Sequence, residues 1–267
     1  MTQLYQHRAR KRFGQNFLHD AGVIHRILRA IGAKQGDHLV EIGPGQGAIT
    51  EGLVGSEARV DVIELDQDLL PLLTLKFGLK DNFALHSGDA MKFDFASLST
   101  TPASLRVVGN LPYNISTPLI FHLLSYSGLI RDMHFMLQKE VVKRMAASPG
   151  GGDWGRLSIM VQYYCDVEYL FTVGPGAFNP APKVDSAIVR LTPHATLPHP
   201  AKNPTLLEDV VREAFNQRRK TLRNTLKSLL SAADIEACDI DPGLRPEQLS
   251  LAQFVALANR LHDMQGA

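Results

Sequence analysis

The sequence predicts an open, mostly parallel α/β sheet followed by a small all-helical C-terminal domain. Three observations carry this. From residue 38 to 192, short apolar β-prone runs alternate with amphipathic stretches, which is the pattern of βαβ units. The stretch TPHATLPHPAKNP (192–204) is rich in Pro, His and Ala and has no periodicity, so it reads as a linker. Beyond it, residues 205–266 carry helical periodicity only. The expected domains are therefore 1–195 and 205–267.

In chain order, FGQNFL reads as the start of a helix, with Phe13 and Phe17 in the core. HLVEI (38–42), VDVIEL (60–65), NFALHS (82–87), LRVVGN (105–110) and MHFML (133–137) read as strands. They are apolar runs with little alternation, as strands covered on both faces require. The helical runs lie near 46–54, 67–77, 117–126 and 138–147. VDSAIVRL (184–191) is strongly β-prone but no crossover helix follows it, so an antiparallel edge strand is expected. After the linker come LLEDVVREAF, TLRNTLKSLL and DPGLRPEQLSLAQFVALANRL, in which Pro246 suits a helix's first turn. Across 218–230 a single helix would place Leu222, Leu226 and Leu229 on one face. Arg219, Arg223 and Lys227 would then fall at i, i+4 and i+8 on another.

Composition narrows the function classes. At 267 residues, 45% of them hydrophobic, the chain suits one large domain and a small one. Cys165 and Cys238 form no CxxC or His/Cys cluster, which argues for a reducing compartment and against zinc or a disulfide frame. No apolar run approaches the ~18 residues of a membrane span. The basic N-terminus lacks the apolar core of a secretory signal, and a cytoplasmic location is expected. Net charge is only +1, but its distribution is uneven. Residues 1–19 hold Arg8, Arg10, Lys11 and Arg12 and no acid. Residues 212–227 hold Arg212, Arg218, Arg219, Lys220, Arg223 and Lys227 against Glu213 alone. Two basic segments on a nearly neutral chain read as a footprint for a polyanion.

Two stretches carry chemistry. VEIGPGQGAIT leaves a strand and enters a helix through Gly43, Gly45 and Gly47, where a ligand can approach the main chain closely. It also satisfies the loose dinucleotide pattern G-x-G-x-x-A, with Glu64 roughly 20 residues on, so a nicotinamide dehydrogenase has to be weighed. Against that reading, Glu41 stands in the strand just before the glycines and Pro44 stiffens the loop. The second stretch, GNLPYN, ends a strand. Pro112 forbids its continuation, so Asn110 and Tyr113 are held in a stiff turn.

Glu41-Ile-Gly43-Pro-Gly45-x-Gly47 resembles the first motif of S-adenosylmethionine-dependent methyltransferases with the Rossmann-like class I fold. Glu64 in VIELD resembles that class's ribose-binding acid, and Asp89 in SGDAM the acid that reads the adenine amino group. The resemblance implies S-adenosyl-L-methionine as cofactor and no metal. NLPY resembles the fourth motif of adenine-N6 methyltransferases. There the Asn110 side-chain oxygen and the Leu111 carbonyl would accept the two N–H groups of an exocyclic amine, and Tyr113 would stack on the base. RKRFGQNFL, GNLPYNISTP, MLQKEV, FNPAPKVDSAIVRL and EAFNQRRKTLRN all resemble the small-subunit ribosomal RNA adenine dimethyltransferase family, whose loss gives kasugamycin resistance.

That resemblance implies dimethylation of N6 on two adjacent adenines near the 3′ end of 16S rRNA, within the small (30S) subunit or its precursor, and a role in subunit biogenesis. It implies that Asn16 and Leu18 also contact the cofactor, with Gly43, Gly45, Glu64, Asp89 and Asn110. It places Phe178, presented by the proline-stiffened FNPAPKV loop, opposite Tyr113 across the base; the residues by themselves also suit a buried aromatic there. Arg218, Arg219, Lys220, Arg223 and Lys227 are the expected RNA contacts. A monomer with no DNA and no membrane partner is expected. Against a DNA enzyme, or the large-subunit methylase of macrolide resistance, the C-terminal blocks decide; against a non-catalytic assembly factor, Asn110 and Tyr113 decide.

Overall fold

The computed structural model describes residues 15–217 and 219–266, so Arg8–Arg12, Phe13 and Arg218 lie outside the described residues. Among the described residues the strands are β1 (Phe17–Leu18), β2 (His38–Ile42), β3 (Arg59–Glu64), β4 (Phe83–Ser87), β5 (Leu105–Asn110), β6 (Ile130–Gln138), β7 (Cys165–Val173), β8 (Phe178–Asn179) and β9 (Ser186–Pro193). The helices are α1 (Ala21–Ile31), α2 (Thr50–Gly55), α3 (Leu70–Phe77), α4 (Ser116–Leu124), α5 (Lys139–Met145), α6 (Arg156–Tyr164), α7 (Pro204–Ala214), α8 (Leu222–Thr225), α9 (Ala232–Glu236) and α10 (Leu251–Gln265).

Seven strands form one sheet in the order β4-β3-β2-β5-β6-β9-β7. The pairs β2–β3, β3–β4, β2–β5 and β5–β6 are parallel, and β9 runs antiparallel to β6 with Ser186 opposite Gln138. The late strand is thus antiparallel as expected but not at the edge. The edge is β7, whose mixed burial hides it from an apolar-run search. Chain order reverses between β2 and β5, which opens a crevice at their carboxyl ends. FGQNFL does not start a helix. Phe17 and Leu18 pair antiparallel with Asn179 and Phe178 in a separate two-stranded sheet. Helix α1 begins only after Asp20, whose carboxylate caps Val23 N at 2.9 Å.

The amino ends of the strands are tied by charge. Arg106, 7% exposed, donates from Nη1 to Asp37 Oδ2 at 2.8 Å, from Nη2 to the Ile31 carbonyl at 2.6 Å and from Nε to Asp132 Oδ1 at 3.1 Å. Inside β3, buried Asp61 bonds His38 Nε2 and His86 Nε2 of the two flanking strands, each at 2.6 Å. Burial works against this carboxylate, yet the two imidazoles and Arg59 hold it down at about 2. Apart from His86, the penultimate residue of β4, these ionisable groups lie away from the carboxyl ends.

The chain forms two compact units, one of residues 15–142 with Glu168–Pro193, the other of Lys143–Val167 with 194–266. This departs from a linear cut at 195, because residues 143–167 bond to the C-terminal segment. Trp154 Nε1 donates to the Leu249 carbonyl at 2.9 Å, Gly150 N to the Glu247 carbonyl at 2.7 Å, and Ala201 N to the Tyr163 hydroxyl at 3.1 Å. In this second unit α7 buries Leu207, Val210, Val211 and Ala214 at helical spacing and packs with α10. Pro246 opens a separate 3₁₀ turn, and α10 starts at a Ser250–Gln253 capping box. Among the described residues no helix is long and apolar enough to cross a membrane.

Candidate active site

The carboxyl ends of β4, β3, β2 and β5 and the segment through β1 line a cavity of about 350 Å³ within the first unit. The β2–α2 loop lines it through Gly43, Pro44, Gly45, Gln46 and Ala48. Gly45 has φ +57°, and a Cβ there would sit 3.1 Å from the Phe17 ring; Gly47 has φ +86°, and its Cβ would meet Phe77 at 2.7 Å. The loop's tight curvature therefore reflects packing from β1 and α3 as well as ligand approach. Lys76 Nζ donates to the Gln46 carbonyl at 2.8 Å and fixes the loop from α3.

Three carboxylates stand at successive strand ends of the cavity wall, Glu41, Glu64 and Asp89. Glu64 is buried, and its Oε1 accepts from Asp66 N at 2.7 Å. Burial raises its pKa, while main-chain N–H groups of Asp66 and Gly45 pull the other way. Glu41 is 2% exposed and accepts from Thr50 Oγ1 at 2.6 Å. Burial pushes it up to about 7, the Thr50 hydroxyl opposes this, and the Glu64 charge adds to it. Asp89 Oδ1 accepts from Met91 N at 2.9 Å, turning the chain just after β4.

Asn110 ends β5. Its Nδ2 donates to the Asn16 carbonyl at 3.2 Å, which leaves the amide's acceptor end for another donor. Leu111 is buried and donates its N–H to the Met136 carbonyl at 3.2 Å. Tyr113 is half-buried, with its hydroxyl 3.0 Å from Ser186 Oγ. Its carbonyl accepts from Ser116 Oγ at 3.2 Å.

The structure gathers nearly every residue expected at the site. Asn16, Leu18, Gly43 and Gly45 line the cavity on one side, and Glu64, Asp89, Asn110, Leu111 and Tyr113 complete it. Phe178 is not in its wall. The ring is 4% exposed, belongs to the apolar core with Leu18 and Ile188, and sits in β8 opposite Leu18. The single basic helix over 218–230 does not form. Helix α8 spans only Leu222–Thr225, and Arg219 has φ +68°, outside helical geometry. Leu222, Leu226 and Leu230 are buried, with Leu230 in the place expected for Leu229. Arg219, Lys220, Arg223 and Lys227 are exposed all the same. Gln15 and Ser186 were not legible from sequence, since each bonds a partner distant in the chain, Asp66 and Tyr113; Thr50 lies within the glycine-loop stretch, but its bond to Glu41 needs the turn between them to close. Among the described residues no group of His, Cys, Asp and Glu side chains is arranged to hold a metal ion.

The family model described as Ribosomal RNA adenine dimethylase matches residues 6–263. Ribosomal RNA small subunit methyltransferase A of Pseudomonas aeruginosa is 77% identical over 266 residues, 100% of this chain and 99% of the relative. The protein of the same name from Marinomonas sp. is 60% identical, with 100% of both chains covered. A dimethyladenosine transferase from Plasmodium falciparum has a similar structure at 28% identity, TM-score 0.77, covering 90% of this chain and 95% of that one. The 23S rRNA methyltransferase ErmE is similar at 25% identity, TM-score 0.73, covering 92% and 100%. The likeness to the large-subunit enzyme extends through the helical end of the chain. Architecture alone therefore does not separate the small-subunit relatives from the large-subunit one, whereas the identities, 77% and 60% against 25%, do.

Proposed function

Because the chain belongs to the ribosomal RNA adenine dimethylase family, we propose that its cavity dimethylates N6 of two adjacent adenines near the 3′ end of 16S rRNA, in the small (30S) subunit or its precursor. The coarser activity, S-adenosylmethionine-dependent dimethylation of rRNA adenine, is that of the family.

The cavity residues fit the cofactor. A buried Glu64, whose other contacts are main-chain donors, suits a pair of ribose hydroxyls. Asp89, one strand further along the sheet, suits the adenine amino group. The positive-φ glycine loop lets main chain approach the ligand without side chains intervening. When bound, S-adenosylmethionine supplies a methyl group on a sulfonium sulfur to a nucleophile in line with the C–S bond. The adenine amine is a poor nucleophile because its lone pair is delocalised into the ring. Asn110 Oδ1 and the Leu111 carbonyl accept its two N–H groups, favour a pyramidal nitrogen and aim the lone pair. With the cofactor bound, the nitrogen–carbon bond would form as the carbon–sulfur bond broke, and the excess proton on nitrogen would leave to solvent; the part of Asn110 and Leu111 is to hold the amine for it.

The observation that carries this reading is the Asn110 amide. Its nitrogen is held by the Asn16 carbonyl at 3.2 Å, so its oxygen is the end presented to a donor. Tyr113 supplies one stacking face. Phe178 supplies the second in the same reading, and its ring must then turn out of the core cluster as the base enters. Exposed Arg219, Lys220, Arg223 and Lys227, with Arg218, contact phosphates. The protein works as a cytoplasmic monomer, contributes to subunit biogenesis, and its loss gives kasugamycin resistance.

The deciding experiment supplies methyl-labelled S-adenosylmethionine with unmethylated small subunits, large subunits or duplex DNA. Label in small-subunit RNA as dimethyladenosine is expected. Label confined to large subunits or DNA refutes the assignment.

A further inference from the structure

Tyr113 is tied at both ends. Its carbonyl accepts from Ser116 Oγ at 3.2 Å in the first turn of α4, and Pro112 fixes the backbone before it. The far end of its ring, the hydroxyl, meets Ser186 Oγ at 3.0 Å. Ser186 is 1% exposed and is the first residue of β9. Because β9 runs antiparallel to β6, its first residue lies at the carboxyl end of the sheet, level with Gln138. The position is held by the residue before it. The neighbouring Asp185 accepts from Lys139 N at 3.0 Å through its carbonyl and from Lys139 Nζ at 3.2 Å through its carboxylate.

A tyrosine ring on a turn has freedom about χ1 and χ2, and a stacking face is useful only if those angles are set before the base arrives. We propose that Ser186 is a positioning residue for methyl transfer, whose hydroxyl locks the Tyr113 ring in the plane that receives the target adenine. The proposal rests on Tyr113 being the base-stacking residue. It assigns to the VDSAIVRL strand a task beyond sheet pairing. Ser186 touches neither the base nor the cofactor in this scheme and acts only through the phenol.

The test uses full-length Ser186→Ala, Ser186→Thr, Tyr113→Phe, Tyr113→Ala and the Ser186→Ala/Tyr113→Phe pair on unmethylated small subunits. Turnover, KM for the subunit, cofactor Kd by calorimetry and melting temperature are measured for each. Ser186→Ala and Tyr113→Phe should each lower kcat by roughly three- to tenfold, the worth of one neutral hydrogen bond. Cofactor Kd and melting temperature should stay near wild type. The double variant should be no slower than either single one, because both remove the same contact. Ser186→Thr, which restores a hydroxyl, should recover turnover. Full turnover in Ser186→Ala, or losses that multiply in the double variant, overturns the proposal. Should Ser186→Ala fail to fold, Tyr113→Phe decides alone, since full turnover without the phenol hydroxyl overturns it equally. Full turnover in Tyr113→Ala would refute the stacking reading, whereas a dead Tyr113→Ala beside a fully active Ser186→Ala refutes only the lock.

Discussion

Glu41→Gln should stabilise the cofactor-free protein at neutral pH and do little at pH 4. The Glu41 carboxyl is 2% exposed, and its described side-chain hydrogen bond is the Thr50 hydroxyl at 2.6 Å. Burial, reinforced by the Glu64 charge, raises it from an ordinary 4.5 to about 7. The folded state therefore holds a proton between those values that the unfolded chain has lost. Stability from this group is fully present below pH 4.5 and drains away as pH rises to about 7, after which the loss is constant. At 1.36 kcal/mol for each pH interval, the loss comes to about 3 kcal/mol. Gln keeps the shape and can still accept from Thr50, but it never ionises. The assay is urea denaturation from pH 4 to 8, followed by far-ultraviolet circular dichroism. Trp154 fluorescence is unsuitable because the chain's one tryptophan lies in the other compact unit. The gap between variant and wild type should open across pH 4.5–7 and then level off. Parallel curves across that window would refute the reasoning and show that Glu41 is ionised at neutral pH without penalty.

Further outcomes follow from the same geometry. Asn110→Ala should abolish transfer and keep most cofactor affinity in calorimetry, while Glu64→Ala should weaken cofactor binding by about 1.5–3 kcal/mol; the reverse pattern would exchange their roles. Arg106→Ala should cost about 3 kcal/mol of stability in denaturant, because it removes the buried donor of the Ile31 carbonyl and leaves Asp132 only His134 at 3.5 Å and Arg131 at 3.7 Å, while Arg131 still holds Asp37 at 2.7 Å. Phe178→Leu should fold normally because core volume is largely kept, and a turnover loss would place the ring on the base whereas full activity leaves it in the core. Replacing Arg219, Arg223 and Lys227 with Gln should weaken small-subunit binding and flatten its log–log salt slope by about 0.7–0.9 per lost phosphate contact, with cofactor affinity unchanged.

The sheet was legible wherever burial on both faces writes a continuous apolar run. The sequence readings of β2 and β5 match the strands residue for residue, and β3, β4 and β6 differ only at their ends. The edge strand β7 was illegible for the converse reason: its pattern CDVEYLFTV mixes buried and exposed positions and follows α6 without a turn signal. The basic segment misled through its leucine spacing. Helical periodicity says which side chains seek the core, and Leu222 and Leu226 do find it. It does not say that the chain between them stays helical, and Arg219 leaves helical geometry.

At the site, what could be read was what the backbone must do locally. Glycines at a strand end, a proline after Asn110 and acids at successive strand ends each constrain a turn within a few residues. What could not be read were contacts whose partners come together only once the sheet has closed. Asn16 and Asn110 are 94 residues apart, and Tyr113 and Ser186 are 73 apart. These contacts set which end of the Asn110 amide and which plane of the Tyr113 ring are offered. Residue type thus announces the chemistry, and the antiparallel return of β9 together with the β1–β8 pair supplies its aim. Phe178 stands at the point where the two kinds of information disagree: its motif assigns it to the base, and its burial beside Leu18 assigns it to the core. A ring in that position can serve both only if base entry is coupled to a shift of β8, the strand that pairs with the residue next to Asn16. Such coupling would make the Asn16–Asn110 contact sensitive to the occupancy of the base pocket.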